Sequence, residues 1–221
     1  MRAPAAVLAV LPTLAVLATA PARAALAEPP RDSGITFALR GGYGVPFGDV
    51  SRDGAPVEAI VRAKVPVALE LGYRFGARLE GDLYLELARA SLEATCPAAT
   101  SCEASDVRVG LVLRVHLAPA RRIDPWLGAG FGIEVMNATY APDPAGPRQE
   151  AAWSGLEVPL EAGLDLRATE RLVLGPVFQA TFARFTGASS RTEGSTSRSE
   201  AIGVRATHGW LQLGLRATLR L

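Results

Sequence analysis

Apolar and polar side chains alternate one by one through eight separate segments of this 221-residue chain. In the clearest segment, residues 106–117, Val109 and Leu111 occupy one face while Arg108 and Arg114 occupy the other. A strand turns successive side chains to opposite faces, whereas an amphipathic helix repeats its apolar positions every three or four residues. The pattern therefore predicts an all-β fold.

The connections between the segments are alternately short and long. The segments span residues 35–45, 65–75, 79–88, 106–117, 124–136, 156–167, 172–185 and 210–221. Short connections lie at 76–78, 118–123 and 168–171, and long polar ones at 46–64, 91–105, 137–154 and 187–208. Short turns at one end and long loops at the other are typical of transmembrane barrels. We therefore predict an eight-stranded antiparallel up-and-down transmembrane β-barrel over residues 28–221.

A leader precedes the first segment. Arg2 supplies a positive charge, residues 5–20 are mostly apolar, and two A-x-A triplets end at Ala24 and Ala27. A charged start, a short apolar stretch and a small-residue cleavage site together indicate a secretory signal peptide. We expect residues 1–27 to be this signal peptide, cleaved after one of the two alanines.

The only two cysteines, Cys96 and Cys102, lie in a polar stretch between two strand patterns. Export would place them in an oxidising compartment, where a disulfide forms and persists. A closed loop this short would contribute about 2 kcal/mol by the chain-entropy model. We predict a disulfide between them, with free thiols as the open alternative; no histidine or further cysteine nearby supports a metal site.

Alternation alone does not decide which face meets the interior, because a soluble exported barrel or sandwich would turn its apolar face inward. Nearly all strand glycines, such as Gly72, Gly110 and Gly132, lie on the polar face. Small residues on the inner face allow a narrow barrel to close. The apolar face carries charge only near its loop-proximal ends, at Arg89 and Arg184, as lipid contact requires. The polar face is therefore predicted to line the lumen.

The polar face carries charges of both signs in near balance, and buried charges require partners. We predict a polar network in the lumen, with these members: Arg40, Glu70, Arg74, Glu80, Asp82, Glu86, Arg108, Arg114, His116, Glu134, Glu157, Glu161, Asp165, Arg167, Arg216 and Arg220. An eight-stranded barrel has an interior just wide enough for its own side chains. The lumen is therefore expected to be filled.

Signals for other chemistry are weak. The formal net charge of +1 provides no bulk field for nucleic acid, and no apolar run after the leader is long enough for a helical membrane span. Of the two histidines, His116 lies on the polar face and His208 in the last loop, without a nearby serine partner or a G-x-S-x-G elbow. A glycine-rich stretch at 128–132 lies within a strand pattern and opens no helix. We predict no catalytic, cofactor-binding or metal site.

The leader, the eight segments, the alternating connections and a closing strand with apolar residues at Leu215, Leu219 and Leu221 resemble the small outer-membrane barrels of the OmpA/OmpX kind. The resemblance is architectural and covers residues 28–221. It implies a bacterial outer-membrane location, contact with the lipid bilayer, and recognition of the C-terminal strand by the barrel-assembly machinery. The closing strand of that class usually ends in an aromatic residue, and Leu221 occupies this position in the present sequence.

The sequence thus favours a non-enzymatic outer-membrane barrel with a side-chain-filled polar lumen and surface loops for structural or interaction roles. The ligand of these loops is left open. Two alternatives stand beside this prediction. One is a small porin-like barrel, or a barrel that passes apolar molecules. The other is a soluble periplasmic β-barrel binding protein with an apolar interior cavity.

Overall fold

The computed structural model describes residues 33–51, 56–92, 100–142, 146–203 and 205–221. These residues form nine strands and a short 3-10 helix, Val57–Ala59. The strands are β1 Gly34–Gly48, β2 Val61–Phe75, β3 Leu79–Leu92, β4 Thr100–His116, β5 Ile123–Pro142, β6 Gln149–Arg167, β7 Leu172–Thr192, β8 Arg198–Ala201 and β9 His208–Arg220. Among the described residues, no helix is long and apolar enough to cross a membrane.

Eight long antiparallel strands close into a barrel. Strands β1 to β7 each pair with the next in the chain, and β9 closes the sheet by pairing with both β7 and β1. Strand β8 pairs with the outer part of β7 and adds a small hairpin beyond the barrel. Closure leaves no open edge along the barrel wall, so every strand of the wall has two hydrogen-bonded neighbours. The predicted eight-stranded up-and-down barrel is confirmed.

The outer face of the barrel is apolar on all eight strands. Leu69, Leu111 and Leu213 are 48%, 46% and 66% exposed, and each strand adds further leucine, valine, isoleucine or phenylalanine side chains of similar exposure. A soluble monomer rarely exposes a continuous apolar surface of more than a few hundred Å². The apolar face therefore points outward, and the soluble alternative with an apolar interior is wrong.

The strands are longer than predicted at the long-loop end. Strand β5 continues to Pro142, β6 begins at Gln149 and β7 continues to Thr192, all inside segments predicted as loops. These extensions consist mainly of alanine, serine, threonine and charged residues, so their hydrophobicity does not alternate although the backbone ladder continues. The predicted loop boundaries at 137–154 and 187–208 are therefore too wide.

A small apolar core closes the barrel at the long-loop end. Residues 49–51 and 56–60, which lie between β1 and β2, contribute to this core, and the 3-10 helix buries Val57 completely. Val57 and Val50 pack in one cluster with Phe185, Met136 and residues of the upper wall. We call this apolar cluster the cap. Burial of these side chains fixes the two stretches over the lumen.

Two predictions fall on residues outside the described ranges. The signal peptide at 1–27 lies in one such region, and Cys96 lies in another, so the disulfide to Cys102 stays a prediction.

Candidate functional site

The inner faces of the eight strands carry almost all the buried charged side chains of the described residues. The pleat turns every second residue inward, so each strand contributes its polar series to the lumen. On the wall, Glu86 of β3 lies beside Arg108 of β4, which lies beside Glu134 of β5. Opposite charges are therefore adjacent across strands, an arrangement that stabilises the sheet.

Glycines on the inner face create room for large side chains. A Cβ added at Gly163 would lie 2.3 Å from Cζ2 of Trp126, and one at Gly132 would lie 2.3 Å from the Tyr84 hydroxyl oxygen. Both distances are well below van der Waals contact, so only glycine fits opposite these rings. The space beside these glycines is therefore occupied by the rings of Trp126 and Tyr84, which leaves no channel at these positions.

Arg114 is the centre of the ionic layer in the middle of the lumen. Its Nη1 lies 2.7 Å from Asp82 Oδ2 and 2.9 Å from Glu70 Oε2. Its Nη2 lies 2.7 Å from Glu161 Oε2. Arg216 completes the layer, with Nε 2.8 Å from Glu70 Oε2. One guanidinium therefore connects carboxylates from three strands, in the planar geometry that suits arginine.

Arg40 links this middle layer to the carboxylate above it. Its Nη1 contacts Glu161 Oε1, and its Nη2 lies 3.2 Å from Glu86 Oε2. Lys64 reaches Glu86 from the other side, with Nζ 2.9 Å from Oε1. Lys64 also contacts Asp106. Charges of opposite sign therefore alternate along the lumen.

Arg108 is the centre of the upper layer. It donates from Nε to Asp106 Oδ2 at 2.9 Å and from Nη2 to Glu134 Oε1 at 2.9 Å. Its Nη1 lies 3.3 Å from Glu157 Oε2. The Tyr84 hydroxyl donates to the other oxygen of Glu157. Every acidic side chain in this layer therefore faces at least one cation.

The upper layer meets the cap through two aromatic residues of β9. Trp210 Nε1 donates to Glu134 Oε1 at 2.8 Å, and His208 Nε2 lies 2.8 Å from Glu134 Oε2. The His208 ring stacks on Phe185 of the cap at 3.8 Å between centroids. Lys64 Nζ lies 4.4 Å from the centroid of a Trp210 ring, a cation–π contact. These rings separate the ionic lumen from the apolar cap.

A third group of polar contacts closes the short-turn end. His116 Nδ1 lies 2.9 Å from Asp124 Oδ2, and Trp126 Nε1 donates to Asp165 Oδ1 at 2.9 Å. Arg220 Nη2 lies 3.4 Å from the other oxygen of Asp165. Arg74 donates to the carbonyl of the 76–78 turn. The lumen is therefore occupied by side chains at both ends as well as in the middle.

The structure brings together every predicted lumen residue except Arg167. Arg167 is the last residue of β6, is only half-buried, and donates to the Pro119 carbonyl at 2.9 Å. No ion pair to Arg167 forms within the described part of the chain. Its position at the strand end places its guanidinium over a turn and not over the lumen axis.

Sequence reasoning missed several residues that fill the lumen. Lys64 and His208 were assigned to long loops, but both are fully buried members of strands. Trp126 and Trp210 occupy inward positions in their strands, so period two alone could have placed them inside. The predicted network also omits five residues that face the lumen, most of which lie on the predicted polar face: Tyr84, Asp106, Asp124, Gln179 and Gln212.

A small cavity lies inside the barrel. The cavity beside Arg40, Gln179 and Gln212 amounts to about 10 Å³, which is about the room that one water molecule needs. Across the described ranges, no group of three or more histidine, cysteine, aspartate or glutamate side chains is placed to hold a metal ion. The arrangement suits mutual neutralisation of buried charges.

Comparisons with solved structures agree with this geometry. A major outer membrane protein from Thermus thermophilus superposes with a TM-score of 0.58 at 12% identity, covering 86% of this chain and 99% of that one. The outer membrane protein OprG from Pseudomonas aeruginosa gives 0.52 at 14% identity, with 86% and 98% covered. Neisserial surface protein A gives 0.50 at 13% identity, with 84% and 97% covered.

No protein-family model matches the chain, and no curated protein matches it. The likeness at these low identities concerns the fold. The closed eight-stranded sheet, the apolar exterior and the charged interior all agree with the resemblance found in the sequence. The chain therefore has the fold of the small eight-stranded outer-membrane β-barrels.

Proposed function

We propose that this chain is a non-enzymatic, closed outer-membrane barrel that serves a structural or interaction role. The filled lumen is the observation that carries the proposal. Arg108 and Arg114, both completely buried, occupy successive levels of the interior. Arg114 contacts Glu70 of β2 and Glu161 of β6, which lie on opposite sides of the barrel. A continuous water path would have to disrupt these ion pairs, and leaving a buried charge unpaired costs several kcal/mol.

The cap supports the same proposal. Val57 and Phe185 are fully buried above the ionic layers, so an entering solute would meet an apolar barrier before it met the charges. A polar or charged solute would lose its hydration there without gaining hydrogen bonds. The porin-like alternative is disfavoured for this reason, and also because the cavity beside Arg40 has room for about one water.

The strand extensions at the long-loop end support an interaction role. Strands β5, β6 and β7 are 20, 19 and 21 residues long. A transmembrane strand needs only about 9–11 residues. The excess length carries a sheet beyond the bilayer, with β8 at its edge. In this proposal the sheet presents the loops to an external partner, and the barrel-assembly machinery recognises strand β9 during insertion.

Conductance in planar bilayers tests the proposal. Purified protein, inserted as a monomer, is expected to give little or no steady ionic current at any holding potential below membrane breakdown. A wide porin inserted in the same bilayers provides the positive control. Large, stable conductance steps from the monomer would contradict a closed lumen and support the porin-like alternative.

A further inference from the structure

Four exposed arginines surround the barrel at its short-turn end. Arg78 lies in the turn after β2, Arg121 and Arg122 lie in the turn after β4, and Arg171 lies in the turn after β6. Glu170 is the only acidic residue in these three turns. We call the four arginines the rim arginines.

The backbone of the rim arginines is anchored to the barrel. The carbonyl of Arg78 accepts a hydrogen bond from the His116 amide at 2.8 Å, and the carbonyl of Arg171 accepts one from the Arg220 amide at 2.8 Å. The carbonyl of Arg122 accepts one from the Arg167 amide at 3.0 Å. The turns therefore hold these residues at fixed positions on the rim, and only their side chains are free to reorient.

The rim arginines differ in their pairing from Arg148 and Arg198, two exposed arginines at the opposite end of the barrel. None of the four forms an ion pair with any residue that the structure describes. At the opposite end, exposed Arg148 and Arg198 lie 3.0 Å and 3.9 Å from the carboxylates of Glu150 and Glu200. The three short turns therefore carry four positive side-chain charges against the single negative charge of Glu170.

The rim arginines lie directly beyond the apolar belt. Leu117 and Ile123, which flank the turn of Arg121 and Arg122, are 50% and 53% exposed on the lipid side. Phe75, 55% exposed, precedes the turn of Arg78. Side chains at this level extend among the lipid headgroups. Short turns of such barrels face the periplasm, so the adjoining leaflet is the inner one, which consists of phospholipids.

We propose that the rim arginines bind the phosphates of anionic glycerophospholipids in the inner leaflet. The guanidinium groups offer planar, bidentate donors to phosphate oxygens, and the attraction to an anionic lipid surface adds to the apolar contact of the belt. The inference rests on the proposed membrane barrel. It adds a preference for anionic over zwitterionic headgroups at one end of the protein.

Native mass spectrometry of the full barrel released from nanodiscs tests this inference. The nanodiscs contain equal parts of a phosphatidylglycerol and a phosphatidylcholine with the same acyl chains. The test variant carries Arg78→Gln, Arg121→Gln, Arg122→Gln and Arg171→Gln. The control carries Arg148→Gln, Arg191→Gln, Arg198→Gln and Arg205→Gln, the same change of charge at the long-loop end.

Wild type and control are expected to retain the anionic lipid preferentially. Each arginine near a charged surface raises the affinity for anionic lipid about fivefold, so the preference for the anionic lipid should fall more than tenfold in the rim variant. Equal retention of both lipids by wild type, or equal losses in both variants, would overturn the inference. A second result would also overturn the inference. It is that the rim variant keeps the lipid preference of wild type but alone loses binding to isolated cell wall. Failure of wild type to insert would instead overturn the membrane barrel itself.

Discussion

Arg114 of β4 donates a hydrogen bond from Nε to one carboxylate oxygen of Glu161 and brings Nη2 close to the same oxygen, although β5 separates their strands. The distances to Glu161 Oε2 are 2.8 Å from Nε and 2.7 Å from Nη2. The same guanidinium lies 2.7 Å from Asp82 of β3. A single buried cation thus connects three strands by charge-assisted hydrogen bonds, which are stronger than neutral ones.

Arg114→Met should therefore destabilise the barrel strongly. The substitution keeps an unbranched side chain but leaves the carboxylates of Glu70, Asp82 and Glu161 without their shared cation. Breaking a buried pair in this way costs about 3–5 kcal/mol. The free energy of unfolding in urea, measured on protein folded into vesicles, should fall by that amount.

Arg148→Met is the matched control. Arg148 lies 3.0 Å from Glu150, but both side chains are about half exposed. Exposed pairs of this kind contribute about 0–1 kcal/mol. If the two variants lose the same free energy of unfolding, the lumen network contributes no more than a surface ion pair.

Leu111→Arg tests the outward orientation of the apolar face. Leu111 is 46% exposed near the middle of β4. An arginine facing lipid at the bilayer midplane costs about 2–4 kcal/mol, and the cost falls to near zero at the interface. Leu111→Arg should lower the free energy of unfolding by about 2–4 kcal/mol, whereas Leu117→Arg at the turn should change it little. Equal tolerance at both positions would mean that this face does not contact lipid.

The orientation of side chains in the barrel wall could be predicted from the sequence. The pleat has a period of two, so one buried charge such as Arg108 fixes the direction of every second residue in its strand. Closure follows from the same pattern. An apolar outer face places the strands in lipid, where an open sheet edge would leave backbone N–H and C=O groups without hydrogen bonds. These are local properties, which a single sequence records.

The pairing of charges across the lumen could not be predicted. Arg40 contacts Glu161, which is 121 positions away in the chain and on the opposite wall. Which side chains meet depends on the tilt and stagger of the closed sheet. The alternation within one strand does not record these quantities. The cap was missed for a related reason, since Val50 and Val57 lie outside the alternating segments and are buried by packing against residues distant in the chain, such as Met136 and Phe185.

Gly163→Ala should destabilise the barrel although alanine is a small residue. Its Cβ would lie 2.3 Å from Trp126 Cζ2, and Trp126 is held by its hydrogen bond to Asp165. Overpacking of this kind costs about 1–3 kcal/mol. Chemical unfolding followed by circular dichroism measures the effect. Gly203→Ala, where the added methyl meets nothing within 4 Å, is the control and should change stability by less than about 0.5 kcal/mol.

The ring of Trp210 and its N–H group should contribute separately to the stability of the barrel. It is fully buried, donates to Glu134 at 2.8 Å and presents its ring to Lys64 at 4.4 Å. Trp210→Phe keeps an aromatic face but removes the donor, at a cost of about 1–3 kcal/mol. Trp210→Leu also removes the aromatic face, so it should cost about 0.5–2 kcal/mol more. Circular dichroism during urea unfolding gives both values. Equal losses in the two variants would show that the contacts of the aromatic ring with Lys64 and with Arg108, whose Cζ lies 5.7 Å from the ring centroid, contribute nothing.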